Sequence, residues 1–518
     1  MSFMNAIANE LNNEKQLTEN GAVGYRTTGK KLLDLNFGVA SMRRASEETI
    51  KDKFMDAYYE NPVLAVKWLF YVRDVREGLG ERRFFRTVFP WLSHNHTDVA
   101  RNVLNFIPEF GRYDDLLCVL DTCLQDDVIS LIKEQLNADT YGMKNNQSIS
   151  LLAKWLPSEN ASSAETKRLA SGIRHKLGMT SRNYRKTLSQ MRQYIDVVER
   201  KMSAREWGGI NYETVPSRAN LIYNNAFLRN DEERRRAYLG ALEKGEAKIN
   251  AGTLFPHDIV HKYNSSYGVD TALEGMWKAL PDTVKGCGNT IVVADGSGSM
   301  TCNIGGNTRV TALDVANSLA IYFAERSSGE FKDKYITFSE RPQLVDFSNA
   351  RTLRDKLSIA RRHNEVANTN IEAVFDLILS TAVNNHMAQE DMPANILIVS
   401  DMEFDACATS GTPDVRNSWG WYSSRRCQRP TTTLFDTIAK KYAAHGYKLP
   451  RLVFWNVNSR TSTIPVKDND LGVALVSGFS VNIVNMVMSN KLDPFECLLD
   501  VLNTERYQPI ENAIKDIC

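Results

Sequence analysis

The residues best placed to do chemistry are Asp295-Gly296-Ser297-Gly298-Ser299, which directly follow the run Thr290-Ile291-Val292-Val293-Ala294. A carboxylate and two hydroxyls at alternate positions of a tight glycine-containing loop can turn their oxygens toward one centre. All-oxygen ligation is what a hard cation such as Mg²⁺ prefers. The competing reading is a plain flexible turn, since Gly, Ser and Asp are the commonest turn residues. His363 and Glu365 could be enlisted as ligands, but a loop flanking a helix often carries such residues, and no ligand role is assigned to them. Catalysis is not expected: no Ser/His/Asp arrangement has supporting context, and no G-x-x-x-x-G-K loop is present to cradle a phosphate. The eight cysteines form no C-x-x-C pair and no spacing with a partner His, which argues for reduced thiols rather than zinc.

A second chemistry is electrostatic. Residues 167–205 carry eleven Lys or Arg against Asp196 and Glu199, in a chain whose 63 basic and 62 acidic side chains otherwise nearly cancel. Lys176, Arg182, Arg185, Lys186 and Arg192 are the candidate contacts, with Tyr184 and Tyr194 close by. Such a stripe can neutralise phosphates and release counterions. It can equally be a solvated helix face, or be paired with acids from elsewhere such as residues 231–233. The segment Arg73-Asp74-Val75-Arg76-Glu77-Gly78-Leu79-Gly80-Glu81-Arg82 is also charge-dense, and a mutually satisfied buried network is favoured there over contact with RNA. Its glycines fit a helix stop after Arg76.

The elements that must position these residues fall into two classes. From about residue 47 to 242 the pattern is a succession of amphipathic helices, giving a bundle or a stack of helix pairs in the HEAT style. Pro62 suits a first helical turn ahead of a face made by Val63, Val66, Leu69 and Phe70. Tyr184, Leu188, Met191, Ile195, Val198 and Met202 predict one continuous apolar stripe. After residue 286 the pattern changes to buried strands at 290–294, 394–399 and 451–457, alternating with helices at 312–325, 371–383 and 434–442. That alternation predicts a mostly parallel, doubly wound α/β sheet. Polar stretches at 301–308 and 408–430 are expected to be loops at the carboxyl ends of strands, where such sheets keep their ligands. The predicted domains are therefore 1–285, all-α, and 286–518, α/β.

At 518 residues, more than one domain is required in any case. No apolar run approaches the roughly 18 to 20 residues needed to cross a bilayer, and no secretory leader is evident, so no membrane association and a cytoplasmic location are expected.

Asp295 to Ser299 resembles the metal-ion-dependent adhesion site of von Willebrand factor A domains. The resemblance implies two further ligands. These are Thr369, in Asn368-Thr369-Asn370-Ile371 ahead of a helix, and Asp401, at the end of Ile398-Val399-Ser400-Asp401. It implies a bound Mg²⁺, or another divalent cation such as Mn²⁺ or Ca²⁺, that accepts a carboxylate from a protein partner.

The remainder resembles the Ro autoantigen (TROVE) group of RNA-binding proteins, and more closely its relatives of the DUF2828 family. The resemblance rests on Thr18-Glu19-Asn20-Gly21, Thr28-Gly29-Lys30-Lys31-Leu32-Leu33-Asp34-Leu35, the Arg73 to Arg82 element, Phe110-Gly111-Arg112-Tyr113-Asp114-Asp115-Leu116 and Val215-Pro216-Ser217-Arg218-Ala219. It implies a ring or horseshoe of HEAT-like helical pairs, closed by the A domain, with structured or single-stranded noncoding RNA at the hole and along a basic outer surface. The competing function is a metal-dependent protein-interaction or assembly scaffold without RNA.

Overall fold

The computed structural model describes residues 15–284, 289–305, 309–406, 433–487 and 491–518. The expected loop at 408–430, the end of the one at 301–308 and the leader segment judged absent from the first residues lie outside them. Among the described residues no helix is long and apolar enough to cross a membrane. The N-terminal part, to about residue 280, is helical, and a mixed sheet of mainly parallel strands occupies the C-terminal half.

Two compact units divide the chain, and they do not follow the expected cut at 285/286. One comprises residues 1–46, 255–269 and 282–501; the other comprises 47–254, 270–281 and 502–518. Periodicity reports the local element and is blind to which core that element joins, so this division of the chain follows from packing alone.

The first unit is built on six strands: β3 (Thr290–Asp295), β4 (Lys334–Phe338), β5 (Gln343–Asp346), β6 (Asn395–Ser400), β7 (Arg451–Asn456) and β8 (Val473–Ser477). A separate hairpin pairs β1 (Lys15–Leu17) with β2 (Val23–Tyr25). The sheet order is β5-β4-β3-β6-β7-β8, parallel except for β5, which runs antiparallel to β4 at one edge. β6, β7 and β8 are near-continuous Val, Ile, Leu, Phe and Trp, and their residues are buried almost without exception, as a parallel sheet covered on both faces requires. The strands predicted at 290–294, 394–399 and 451–457 and the three helices between them match within about two residues, whereas β4, β5 and β8 were not anticipated. Chain order reverses between β3 and β6: the connection after β3 leads to β4 on one side and that after β6 to β7 on the other, which makes their adjacent carboxyl ends the switch point where such sheets open a crevice.

In the second unit, helix Pro62–Arg73 starts as expected, with the Asn61 side chain accepting from the Leu64 N–H and Pro62 in the first turn. It is not amphipathic in place: every residue from Ala65 to Arg73 is buried while Val63 is half-buried. The stop falls after Arg73, three residues earlier than predicted. The apolar stripe from Tyr184 to Met202 is also interrupted. Helix Ser181–Tyr194 ends where Asp196 takes a left-handed conformation (φ 53°) and the Val197 N–H bonds back to the Arg192 carbonyl at 3.1 Å. A new helix, Val198–Ser203, then carries Val198 into a separate cluster with Ile210, Tyr212, Val215, Ala219 and Phe227.

Candidate functional site

Asp295 is the last residue of β3 and Asp401 immediately follows β6. Because Ala294 pairs with Val399, both carboxylates leave the sheet at the same level of the crevice. Asp295 is 1% exposed; Oδ1 accepts from the Ser297 N–H at 2.9 Å and Oδ2 from the Ser400 hydroxyl at 2.6 Å. The hydroxyl oxygens of Ser297 and Ser299 lie 3.1 Å apart. Asp401 is also 1% exposed; its Oδ1 accepts from the Glu403 N–H at 3.3 Å, while its buried Oδ2 has no hydrogen-bond partner.

Burial raises the Asp295 carboxyl well above its ordinary value, and the negative charge of Asp401 adds to the push. Burial likewise raises Asp401, against the Ser299 hydroxyl and the Glu403 N–H, which favour its charged form. Among the described residues, the opposite charge within ion-pair distance of Asp401 is Arg460, whose guanidinium nitrogen is 3.6 Å from Asp401 Oδ2. Two buried carboxylates whose charges repel each other, one of them with an oxygen that accepts no hydrogen bond, form an arrangement whose desolvation a divalent cation would offset. The donor set is two carboxylates and hydroxyls; among the described residues no group of three or more His, Cys, Asp or Glu is placed to hold a metal.

Thr369 sits on a loop bound to the other two. The Gly298 N–H donates to the Ala367 carbonyl at 3.1 Å, and the Thr369 N–H donates to Asp405 Oδ2 at 3.0 Å, while the Asp405 N–H returns to the Thr369 carbonyl at 3.0 Å. The Ser339 hydroxyl donates to the Asn368 carbonyl at 3.0 Å, fixing this loop to the end of β4. His363 is engaged elsewhere, with Nδ1 2.9 Å from the Ile359 carbonyl, and Glu365 is exposed.

Residues that the sequence did not point to complete the surroundings. The Asn20 amide donates to the Thr369 hydroxyl at 3.3 Å and to the Glu403 carbonyl at 2.6 Å, and the Thr18 hydroxyl donates to the Phe404 carbonyl at 2.6 Å. Thr18-Glu19-Asn20-Gly21, assigned from sequence to the helical part, therefore belongs to the sheet unit and borders its crevice. Buried Glu403 is the hub. Its Oε1 accepts the N–H groups of Arg460 and Thr461 at 2.8 and 2.9 Å, and its Oε2 accepts the Glu19 N–H at 2.8 Å. The only sequence signal for this was the notable charge of Glu403 two residues beyond Asp401, which by itself marks nothing.

The five residues of the basic stretch separate into two groups. Lys176, Arg182, Arg185 and Lys186 are exposed on helices Ala164–Lys176 and Ser181–Tyr194. Arg192 is not a surface contact: its guanidinium donates to the carbonyls of Ala153 (2.7 Å) and Leu156 (2.8 Å) and to the Ser158 hydroxyl (2.6 Å). It shares helix Ser181–Tyr194 with Arg182, Arg185 and Lys186 but lies near the end that meets residues 153–158, which no periodicity could reveal. Elsewhere in the stretch Arg174 pairs with Glu159, Arg200 with Glu206 and Lys201 with Asp196. Tyr184 is buried, with its hydroxyl on the Pro157 carbonyl.

The Arg73 to Arg82 element and the Phe110 to Leu116 motif explain each other. Arg73, 2% exposed, reaches Asp115 at 2.6 Å, and Arg86 meets the other oxygen of the same carboxylate at 2.6 Å. Gly111 is required because a Cβ there would come within 2.5 Å of Asp115 Oδ2 and 2.9 Å of Arg73 Nε; at Gly78 it would run into the Tyr71 carbonyl. Asp74, also buried, is held by Arg506 and by the Tyr507 hydroxyl at 3.1 Å.

Taken together, a six-stranded, mainly parallel sheet with paired carboxylates at its switch point, accompanied by an all-helical unit, defines a two-part protein of mixed class. The chain belongs to the DUF2828 family, described as a domain of unknown function, whose family model matches residues 18–138 and 122–289. A second model, described as Domain of unknown function (DUF7788), matches residues 289–509 and so begins at β3. The chain is similar to the uncharacterized protein L728 of Acanthamoeba polyphaga mimivirus, 29% identical over 533 residues that cover 95% of this chain and 88% of the viral protein.

Proposed function

We propose that the protein works by binding rather than turnover, and that its sheet unit is a module of the von Willebrand factor A type. Asp295, Ser297, Ser299, Thr369 and Asp401 would hold one divalent cation, Mg²⁺ foremost. The observation that carries this reading is Asp401 Oδ2, a buried carboxylate oxygen without a hydrogen bond, beside a second buried carboxylate and a pair of hydroxyls. A bound cation supplies positive charge and an open coordination position. The residues around it orient the ligand oxygens: Ser400 and the Ser297 N–H hold Asp295, the Glu403 N–H holds Asp401, and Asn20 holds Thr369. With most ligands uncharged, such a cation stays electrophilic and suits a carboxylate offered by a protein partner.

Thermal unfolding with and without Mg²⁺, Mn²⁺ or Ca²⁺ tests the proposal. At about a hundredfold excess over Kd, a cation that binds only the folded state adds about 2.7 kcal/mol. Asp295→Ala should abolish the effect. A wild-type midpoint that none of the three ions moves, with no heat of binding, overturns it.

A second function, RNA binding of the Ro (TROVE) kind on the helical unit, is supported by the exposure of Lys176, Arg182, Arg185 and Lys186. HEAT-like pairing of the helices belongs to the same reading. Each phosphate contact contributes a slope of roughly 0.9 in log K against log salt for duplex-like RNA. Replacing these four by Gln should flatten that slope. Equal affinity and slope in the variant moves the site elsewhere, and absence of binding by wild type at about 50 mM salt, where the electrostatic attraction is strong, leaves the protein-interaction function alone.

A further inference from the structure

One guanidinium spans the rim of the crevice. Arg460 places one nitrogen 2.7 Å from Glu19 Oε2, within hydrogen-bonding distance, and another 3.6 Å from Asp401 Oδ2, beyond it. The main chains of both partners are fixed to the same buried carboxylate, since the Arg460 N–H donates to Glu403 Oε1 and the Glu19 N–H to Glu403 Oε2, each at 2.8 Å. The side chains have room to move: Arg460 is 38% and Glu19 51% exposed. The guanidinium is thus held by Glu19 and leans on Asp401.

We infer that Arg460 is a tethered counter-charge that competes with a divalent cation for Asp401, and that Glu19 weakens this competition by drawing the guanidinium outward. The inference rests on the cation reading of the crevice. A cation ligated by Asp401 Oδ2 would sit about 2.1 Å from that oxygen. That leaves it close enough to the guanidinium for repulsion to matter even at a half-exposed rim, because charges a few ångströms apart still repel each other appreciably in water-like surroundings. Without a cation, Arg460 is the charge that offsets the buried acid. With one, the guanidinium must withdraw, and Glu19 is the partner that receives it. Glu19 and Arg460 therefore act in opposite directions on one equilibrium, although they form one ion pair.

Titration calorimetry with Mn²⁺ on the full chain tests this. Arg460→Gln should bind roughly threefold to tenfold tighter than wild type and Glu19→Gln weaker by a similar factor, the range expected for charges at a partly exposed site. The double variant should match Arg460→Gln, because Glu19 acts through the arginine. Folding is safe in Arg460→Gln, since the contact to Glu403 is made by the main chain. Arg460→Gln should also lower the thermal midpoint of the cation-free protein, a change independent of any ligand. Both substitutions shifting affinity in the same direction, or neither shifting it, overturns the inference while leaving the cation site intact. A double variant weaker than Arg460→Gln shows Glu19 acting on the cation directly and overturns its assigned role. Wild type that binds no Mn²⁺ overturns the cation reading and this inference with it.

Discussion

Asp115 receives two arginines at once, one on each carboxylate oxygen, and is fully buried. Breaking such a pair from one side leaves uncompensated charge in the core, at a cost of about 3 to 5 kcal/mol. Asp115→Asn should therefore lower the free energy of unfolding of the helical unit, measured in urea, by that amount, and a change below about 1 kcal/mol would show the network to be peripheral. Its neighbour Asp114 behaves differently with pH. Burial pushes its carboxyl up, but hydrogen bonds and charge from Arg112 and Arg86 outweigh burial and hold it below the ordinary value. A carboxyl depressed in the folded state contributes stability above its unfolded value of about 3.9, and that contribution is lost as pH falls through the folded value. The cost of Asp114→Asn, measured by urea unfolding, should be full at neutral pH and shrink below about pH 4. A cost independent of pH contradicts this.

At the scale of the element, helix Ser181–Tyr194 shows how one basic stretch serves two purposes. Arg182, Arg185 and Lys186 point no donor into the core, whereas Arg192 spends its three nitrogens on residues 153–158 and ties two helices together. Arg192→Gln should destabilise by about 2 to 3 kcal/mol, since hydrogen bonds to a charged group are the stronger kind and buried carbonyls are left unpaired. The triple replacement of Arg182, Arg185 and Lys186 by Gln should stay within about 0.5 kcal/mol of wild type. Thermal or urea unfolding separates the two. A stable Arg192→Gln would return that residue to the list of surface contacts.

For the whole molecule, the interleaving of the two units has a mechanical consequence. Residues 502–518 belong to the helical unit, where helix Gln508–Ile514 packs on helices Pro62–Arg73 and Thr97–Val103, and Glu511 pairs with the fully buried Lys67. Ending the chain after Val501 removes Arg506 and Tyr507 from Asp74 and Glu511 from Lys67. Hydrogen exchange should then show lost protection across residues 62–73 while β3 and β6 keep theirs. Loss in the strands with the helices intact would refute the assignment of this segment.

What the sequence determined by itself is local. A β-branched run long enough for one buried strand, followed at once by Asp-Gly-Ser-Gly-Ser, specifies a strand end and an oxygen-rich turn, because strand propensity and turn chemistry depend on residues a few positions apart. The same holds for the first turn at Pro62, whereas the charges of Arg73 to Arg82 find their partners outside the element rather than in each other, Arg73 on Asp115 and Asp74 on Arg506. The tertiary structure alone decided what depends on distant partners. Asn20 bonds to Thr369, Glu19 and Arg460 meet on Glu403, and Arg192 faces inward, each through contacts between residues 34 to 384 positions apart in sequence. A short polar motif carries no signal of which loop it will cap, and an arginine on a polar helix face is the same letter whether that face meets water or another helix. Only the order of strands, which brings β3 beside β6, and the packing of helices, which carries Asp196 into a turn, supply that information.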